Sequence, residues 1–233
     1  MNKKILVVVA HPDDEVLGCG ATMAKHVQNG DEVHVAILVE GITSRDKVRN
    51  REQYNKQLLE LQQSARQAND ILGVSTVTFG EFPDNRMDSL DLLDVIKVIE
   101  ELIEKFNLDI VYTHHYGDVN IDHQIVNQAV ITACRPLPGV KFKTILFFEV
   151  ASSTEWQISN FNSSFNPNWF VDVSGMMQLK RKALEAYQSE MREWPHARSI
   201  NAVEYLAKWR GATIGVEAAE TFSLGRHICG GLK

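Results

Sequence analysis

The residues best suited to chemistry form a short run near the N-terminus. His11, Asp13, Asp14 and Glu15 follow directly on the apolar residues 5–10. Neighbouring carboxylates repel and raise each other's pKa, so the cluster is costly unless a cation accompanies it. A divalent cation would remove that cost and supply chemistry for a reaction. The alternative is that Asp13 and Asp14 only cap the helix that follows, since Asp is a favoured cap residue.

A second polar cluster, residues 114–123, contains three histidines and follows a later apolar segment. In the common doubly wound sheet the first and fourth strands are neighbours, and ligands bind beyond their carboxyl ends. This topology predicts that His11 and His114 border one crevice. His123 would start the next helix and point back toward the sheet. The alternative is an ordinary polar loop in which Asp122 caps that helix.

Two imidazoles and one carboxylate from these clusters could bind one metal. Catalytic zinc sites use about three protein ligands and keep one position for water. His11, Asp14 and His123 provide such a set. The same set suits ferrous iron in an oxygenase-type arrangement. The residues therefore predict a catalytic metal site, with zinc and Fe²⁺ both open at this point.

Strand-like and helix-like segments alternate along the chain, as they must to bring these clusters together. The predicted strands cover residues 5–10, 32–39, 74–79, 108–113, 144–150 and 169–173. The predicted helices cover residues 13–29, about 46–72, 90–106, 122–134 and 178–187. This alternation predicts a Rossmann-like α/β fold with a mostly parallel sheet and helices on both faces. The long polar segment 152–168 is typical of a functional loop such as a lid.

Composition excludes several classes of protein. The 233 residues suit one large domain, and the net charge of −6 without a basic run argues against nucleic acid as a partner. No apolar stretch reaches the roughly 18 residues that membrane insertion requires. Three scattered cysteines argue against a disulfide framework and favour the cytoplasm. The sequence leaves a homo-oligomer open, with contacts near Phe161, Phe165 and Trp169.

The two clusters carry a family resemblance. The hexapeptide Ala10-His11-Pro12-Asp13-Asp14-Glu15, with Asp122-His123 further on, resembles the LmbE-like/PIG-L family of zinc-dependent N-acetylglucosaminyl deacetylases. The resemblance extends over most of the chain, tight at these clusters and loose elsewhere. It implies that residues 1–233 form a single deacetylase domain.

The resemblance also implies roles for individual residues. His11, Asp14 and His123 would be the zinc ligands, and Asp13 the general base. Asp122, beside a ligand, would contact a ligand histidine and so orient the site.

Two departures from the family pattern stand out. Many members carry a histidine three positions before the second ligand histidine, whereas this chain has Asn120. Asn120 can donate a hydrogen bond to a developing oxyanion but cannot carry a proton. A family Arg-x-x-Glu pattern is also missing, and Leu61 and Ser64 stand in its place. Arg45, Arg49 and Arg51 are candidates to replace the missing arginine, and Asp84 is a further candidate for a substrate contact.

The expected reaction is hydrolysis of the acetamide of an N-acetylglucosamine-type substrate, a small molecule or its conjugate, releasing acetate and an amine. Two alternatives remain: an amidase of the same fold acting on a larger acyl or thiol-sugar conjugate, and a non-catalytic metal or sugar-binding protein.

Glu15 is expected to stabilise the start of the first helix electrostatically. The loop 194–198 would either contact a sugar or pack at the surface.

Overall fold

The N-terminal strand lies at the centre of the sheet. In a computed structural model, which describes residues 2–136, 142–158 and 164–230, β1 (Lys4–Val9) pairs in parallel with β2 (Glu32–Val39) and β4 (Ile110–His114). Every residue of β1 except Lys4 is buried. The predicted neighbourhood of the first and fourth strands is confirmed.

The described residues form one seven-stranded sheet. Its other strands are β3 (Thr76–Phe82), β5 (Thr144–Phe148), β6 (Trp169–Asp172) and β7 (Ala219–His227). The strand order is β3-β2-β1-β4-β5-β7-β6. The first five strands in this order are parallel, and β7 runs antiparallel to both β5 and β6.

Six helices in the described residues cover the sheet. They are α1 (Asp14–Gln28), α2 (Arg51–Leu72), α3 (Leu92–Phe106), α4 (Ile121–Ala133), α5 (Met177–Ala186) and α6 (Ile200–Ala212). Single-turn 3₁₀ helices occupy Thr43–Arg45, Met87–Ser89 and Thr154–Trp156.

The core has two layers because alternate side chains of a strand point to opposite faces. Ile5, Val7 and Val9 of β1 pack with α1, α2 and α5, whereas Leu6 and Val8 pack with α3 and α4. Helices therefore cover both faces, and the predicted single-domain, mostly parallel α/β fold is confirmed.

The C-terminal third differs from the prediction. Neither α6 nor β7 was predicted, because their apolar patterns are incomplete. Tyr205 and Trp209 of α6 are exposed, and only the first four residues of β7 are buried. The start of α2 at about residue 46 is also wrong. The helix begins at Arg51, and the side chain of Asn50 caps it by accepting a hydrogen bond from the backbone N–H of Gln53.

The predicted lid and oligomer contacts fall partly outside the described residues. Residues 159–163, including Phe161, are not described. Phe165 and Trp169 are half-buried rather than exposed. The lid and the homo-oligomer therefore stay predictions.

Two contacts hold α1 close to the sheet. Gly18 faces the ring of Phe148 in β5, and a Cβ atom at residue 18 would overlap that ring. Further along, α1 departs from helical geometry at Cys19, and the carboxylate of Glu220 accepts hydrogen bonds from the backbone N–H groups of Ala21 and Thr22 at 3.1 and 2.6 Å. These contacts fix the helix whose first turn carries Asp14.

Candidate metal centre

The two polar clusters meet at the carboxyl ends of β1 and β4. His11 follows β1 by two residues, and His114 is the last residue of β4. The backbone N–H of Ala10 donates to Nε2 of His114 at 2.8 Å, which joins the two strand ends directly. The predicted crevice is therefore present, and its walls are separated by more than 100 residues of sequence.

His11, Asp14 and His123 converge within this crevice. Oδ2 of Asp14 lies 3.3 Å from Nδ1 of His11 and 3.2 Å from Nε2 of His123. The two imidazole nitrogens are 3.3 Å apart. The donor atoms of all three side chains lie within 4.8 Å of one another. Two imidazoles and one carboxylate at such spacing fit a divalent metal.

The polar atoms of the trio also fit a cation. Oδ1 of Asp14 is buried and has no hydrogen-bond partner among the described residues. Burial lowers the pKa of His123, but the carboxylates of Asp14 and Asp118 outweigh it and raise this pKa to about 9. The site therefore favours positive charge, which a bound metal would supply.

Each candidate histidine ligand has a carboxylate on its second nitrogen. Nε2 of His11 is 3.0 Å from Oδ2 of Asp122, and Nδ1 of His123 is 3.1 Å from Oδ2 of Asp118. Such carboxylates fix the ring orientation and tautomer of metal-binding histidines. Asp122 thus contacts His11, as an orienting role requires, and that role stays a prediction. The contact between Asp118 and His123 was not predicted from the sequence.

A second group of potential ligands contains His11, Asp84 and Asp122. Both oxygens of Asp122 already accept backbone hydrogen bonds, Oδ2 from Asn85 at 2.6 Å and Oδ1 from Met87 at 3.0 Å. Asp14, in contrast, keeps one oxygen without a partner among the described residues. The donor chemistry therefore favours the trio containing Asp14.

Asp13 stands beside the trio with an unusual backbone. Its φ of 105° places it in the left-handed region, which is strained for an aspartate, and such strain tends to occur at functional sites. Nη1 of Arg198 donates to Oδ2 at 3.0 Å, while Oδ1 is buried without a hydrogen-bond partner in the described part of the chain. Burial raises the pKa of Asp13 to about 8, although the Arg198 charge opposes this shift.

The interpretation of Asp13 and Asp14 as simple helix caps is wrong. Asp13 occupies the N-cap position of α1, but its side chain makes no capping hydrogen bond. Oδ2 of Asp14 accepts instead from the backbone N–H of His11 at 2.8 Å. Both carboxylates are therefore directed to the crevice.

Glu15 has a different role from the predicted one. It is fully buried, and its Oε1 accepts hydrogen bonds from the Tyr187 hydroxyl at 2.6 Å and the Asn69 amide at 2.9 Å. Its Oε2 accepts from the backbone N–H of Asp13 at 3.1 Å. Burial raises the pKa of Glu15 to about 7. Glu15 therefore joins α1 to α2 and to the end of α5, and supports the strained backbone of Asp13.

Asn120, Asp84 and Arg45 line one cavity of about 170 Å³ together with His11 and Asp13. Oδ1 of Asn120 caps α4 by accepting from the backbone N–H of Asp122 at 2.8 Å, which leaves its amide nitrogen as the donor. That nitrogen donates to Oδ1 of Asn85 at 3.0 Å. The capping role was not predicted, and the predicted oxyanion role stays a prediction.

Asp84 and Arg45 differ in their surroundings. Asp84 is buried, with Oδ1 3.4 Å from Nε2 of His11 and Oδ2 accepting from the backbone N–H of Ser44 at 3.0 Å. Arg45 is exposed and pairs with Glu190 at 3.4 Å. Both border the cavity, as a substrate contact requires.

Two further contributions to the site were missed because they come from distant loops. Arg198 reaches Asp13 across 185 residues of sequence. Ser153 and Thr154 donate hydroxyl hydrogen bonds to the carboxylate of Asp118. The pairing of aromatic and basic residues at 194–198 was the one signal that pointed to Arg198.

A family model described as GlcNAc-PI de-N-acetylase (PIG-L) matches residues 6–134, a span that contains both polar clusters. The chain belongs to the PIG-L family. In this PIG-L chain the span matched by the family model contains His11, Asp14 and His123, whereas Arg198 lies outside that span.

Relatives of this PIG-L protein agree with that assignment. The uncharacterized deacetylase YaiS of Escherichia coli (strain K12) is 34% identical over 193 residues, covering 80% of this chain and 91% of the relative. The diacetylchitobiose deacetylase of Thermococcus kodakarensis is 28% identical over 240 residues, covering 97% of this chain and 86% of the relative.

The fold is shared with solved structures. The N,N'-diacetylchitobiose deacetylase from Pyrococcus horikoshii has a TM-score of 0.76 at 21% identity, over 96% of this chain and 84% of that one. Among the described residues, no helix has both the length and the apolar character needed to cross a membrane.

Proposed function

We propose that this PIG-L protein is a metal-dependent deacetylase of N-acetylglucosamine-type substrates. The observation that carries the proposal is the convergence of His11, Asp14 and His123 beside the buried carboxylate of Asp13. A binding protein would have little need for a carboxylate without a hydrogen-bond partner on one oxygen, next to a metal site. Hydrolysis needs such a group to accept a proton.

In this proposal a divalent metal is held by His11, Asp14 and His123. Zinc is the preferred metal and ferrous iron the alternative. The bound metal would lower the pKa of water and polarise the carbonyl of the substrate acetamide. Asp122 and Asp118 keep the two imidazoles oriented through the 3.0 and 3.1 Å contacts to their outer nitrogens.

Asp13 acts as the general base in the proposed reaction. It accepts a proton as water attacks the carbonyl carbon of the acetamide. Burial raises the pKa of Asp13 above that of an exposed aspartate, which makes its carboxylate a better proton acceptor. The protonated Asp13 then donates to the amine nitrogen as the carbon–nitrogen bond breaks, so acetate and a free amine leave.

Asn120 and Arg198 have supporting roles. The amide nitrogen of Asn120 donates a hydrogen bond to the oxyanion that develops on the carbonyl oxygen, exchanging it for the bond to Asn85. Arg198 holds Oδ2 of Asp13, and Oδ1 has no hydrogen-bond partner among the described residues, so it is free to accept the proton. Asp84 and Arg45 contact the sugar from the cavity wall.

The test is a screen for acetate release from N-acetylated sugars, with zinc and iron measured in the same protein sample. We expect release from N-acetylglucosamine or its glycosides, with about one metal ion per chain. Stoichiometric metal without acetate release from any of them would favour the binding protein instead. Faster release of longer acyl groups would favour the broader amidase.

A further inference from the structure

A buried ion pair that the proposed reaction does not use lies against a kink in α1. Nζ of Lys180 in α5 is 2.6 Å from Oε1 of Glu220 in β7, and the two side chains are only 4% and 5% exposed. The kink is at Cys19, whose φ of −147° and ψ of 24° are not helical. Burying two charges is costly, and an apolar pair of similar volume is often at least as stable. Stability alone therefore does not explain this pair.

The ion pair bonds to the backbone of α1 on both sides of the kink. In a regular helix the carbonyl of Leu17 accepts from the N–H of Ala21, four residues further on. Here the carbonyl of Leu17 accepts from Nζ of Lys180 at 2.8 Å. The N–H groups of Ala21 and Thr22 donate to the carboxylate of Glu220 at 3.1 and 2.6 Å. The ion pair thus bridges a carbonyl and an N–H that would be partners in a straight helix.

The kink separates two parts of α1 that have different neighbours. The first part begins with Asp14, and its Glu15 accepts a hydrogen bond from the hydroxyl of Tyr187 at 2.6 Å. The second part packs Met23 and Ala24 into the core. Because the second part is fixed by the core, the angle at the kink decides where the first turn points.

We propose that Lys180 and Glu220 are positioning residues, which hold the kink and so direct Asp14 into the metal site. Oδ2 of Asp14 lies 3.3 and 3.2 Å from the nearest nitrogens of His11 and His123, so a small displacement of the first turn changes the spacing of the donor atoms. Neither Lys180 nor Glu220 lines the catalytic cavity in the described part of the chain, so their effect passes through α1. The effect on turnover rests on the proposed deacetylase function, whereas the effect on metal binding needs no substrate.

The decisive variant removes both charges at once. Lys180→Met combined with Glu220→Met replaces the pair by unbranched apolar side chains and leaves no charge buried alone. The backbone groups of Leu17 and Ala21 then lose their side-chain partners, and buried backbone groups must be paired. They regain hydrogen bonds by bonding to each other, which straightens α1 and displaces its first turn.

We expect the affinity for zinc, measured by competition with a chromophoric chelator, to fall at least about tenfold in the double variant. The kcat for acetate release should fall by at least about tenfold as well, because the turn that carries Asp14 also carries Asp13. The thermal unfolding midpoint of the metal-free protein verifies folding. Wild-type zinc affinity in the folded double variant would overturn the proposal. Absence of acetate release from the wild type would count against the deacetylase function, and the zinc comparison would still decide this proposal.

Glu220→Gln is a milder variant for the case that the double variant does not fold. One amide oxygen replaces two carboxylate oxygens, so the amide nitrogen faces a backbone N–H of Ala21 or Thr22 and one acceptor is lost. We expect zinc affinity to fall about threefold or more. Unchanged zinc affinity in Glu220→Gln would likewise contradict the proposal.

A second ion pair provides the matched control. Nη2 of Arg210 in α6 lies 2.8 Å from Oε2 of Glu149, which follows β5, and their side chains are 20% and 16% exposed. Neither of these side chains has a hydrogen bond to α1 among the described residues. Arg210→Met combined with Glu149→Met should therefore change zinc affinity by less than about twofold. Equal losses of zinc affinity in the two double variants would show general destabilisation and overturn the positioning role.

Discussion

Nη1 of Arg198 donates a hydrogen bond to Oδ2 of Asp13 at 3.0 Å, and this bond joins the loop before α6 to the first turn of α1. Arg198 also donates from Nε to the Ser152 hydroxyl at 3.0 Å. Its guanidinium therefore connects three distant segments of the chain at one carboxylate. This arrangement makes Arg198 a positioning residue for Asp13.

Arg198→Met should lower kcat by at least about tenfold, because the buried Asp13 carboxylate loses its charged partner and its fixed orientation. KM should change much less, since the ligand trio is untouched. The measurement is steady-state acetate release with metal content determined in parallel. Arg198→Lys, which restores a donor and the charge, should recover part of kcat. Equal kcat in the Met variant and the wild type would remove Arg198 from this role.

Asp13→Asn should separate metal binding from turnover. The amide keeps the shape of the side chain but cannot accept the proton, so we expect a loss of roughly 10²- to 10⁴-fold in kcat. Metal content should stay near that of the wild type, because Asp13 is outside the ligand trio. Deacetylation by Asp13→Asn at the wild-type rate would show that another group is the base.

His123→Ala should lose bound metal, whereas Asp13→Asn should retain it. It removes one nitrogen of the trio and leaves Asp14 and Asp118 without their shared imidazole. We expect substoichiometric metal after dialysis, by elemental analysis, and loss of activity as a consequence. Asn127→Ala, on the same helix and outside the trio, is the control for α4. Full metal occupancy in His123→Ala would exclude this histidine as a ligand.

Gly18→Ala should destabilise the protein by about 1–3 kcal/mol, because the added methyl group overlaps the buried Phe148 ring and α1 must move away from β5. The free energy of unfolding is measured by denaturant titration. Gly175→Ala is the matched control, since a Cβ built at that position has no atom of another described residue within 4 Å, its two chain neighbours aside. It should change stability by less than about 0.5 kcal/mol. Similar values for both variants would contradict the packing argument.

Acidification should destabilise the protein partly through His26. Burial lowers the pKa of His26 below its ordinary value, although Asp31, 2.7 Å from Nδ1, opposes the shift. The unfolded chain therefore binds a proton at higher pH than the folded chain does, so stability falls as pH drops below about 6.5. The loss in unfolding free energy between about pH 8 and about pH 5.5 should be smaller in His26→Gln. An identical loss in both proteins would refute this contribution.

Much of the fold could be predicted because its signals are local. Each parallel strand is a short apolar run, and the helices between them repeat their apolar residues at helical spacing. One general rule of α/β topology then placed the first strand beside the fourth and brought His11 near His123. The incomplete patterns of α6 and β7 gave no such signal, so the antiparallel edge of the sheet was missed.

The sequence by itself determined the parallel sheet, the crevice and the residue types of the proposed metal site. Only the tertiary structure decided how those residues are held: Arg198 on Asp13, Asp118 on His123, and Tyr187 on Glu15. From the sequence alone, each of these side chains could have paired with many other polar residues. Their choice depends on the packing of distant segments, which periodicity and spacing along one chain do not encode.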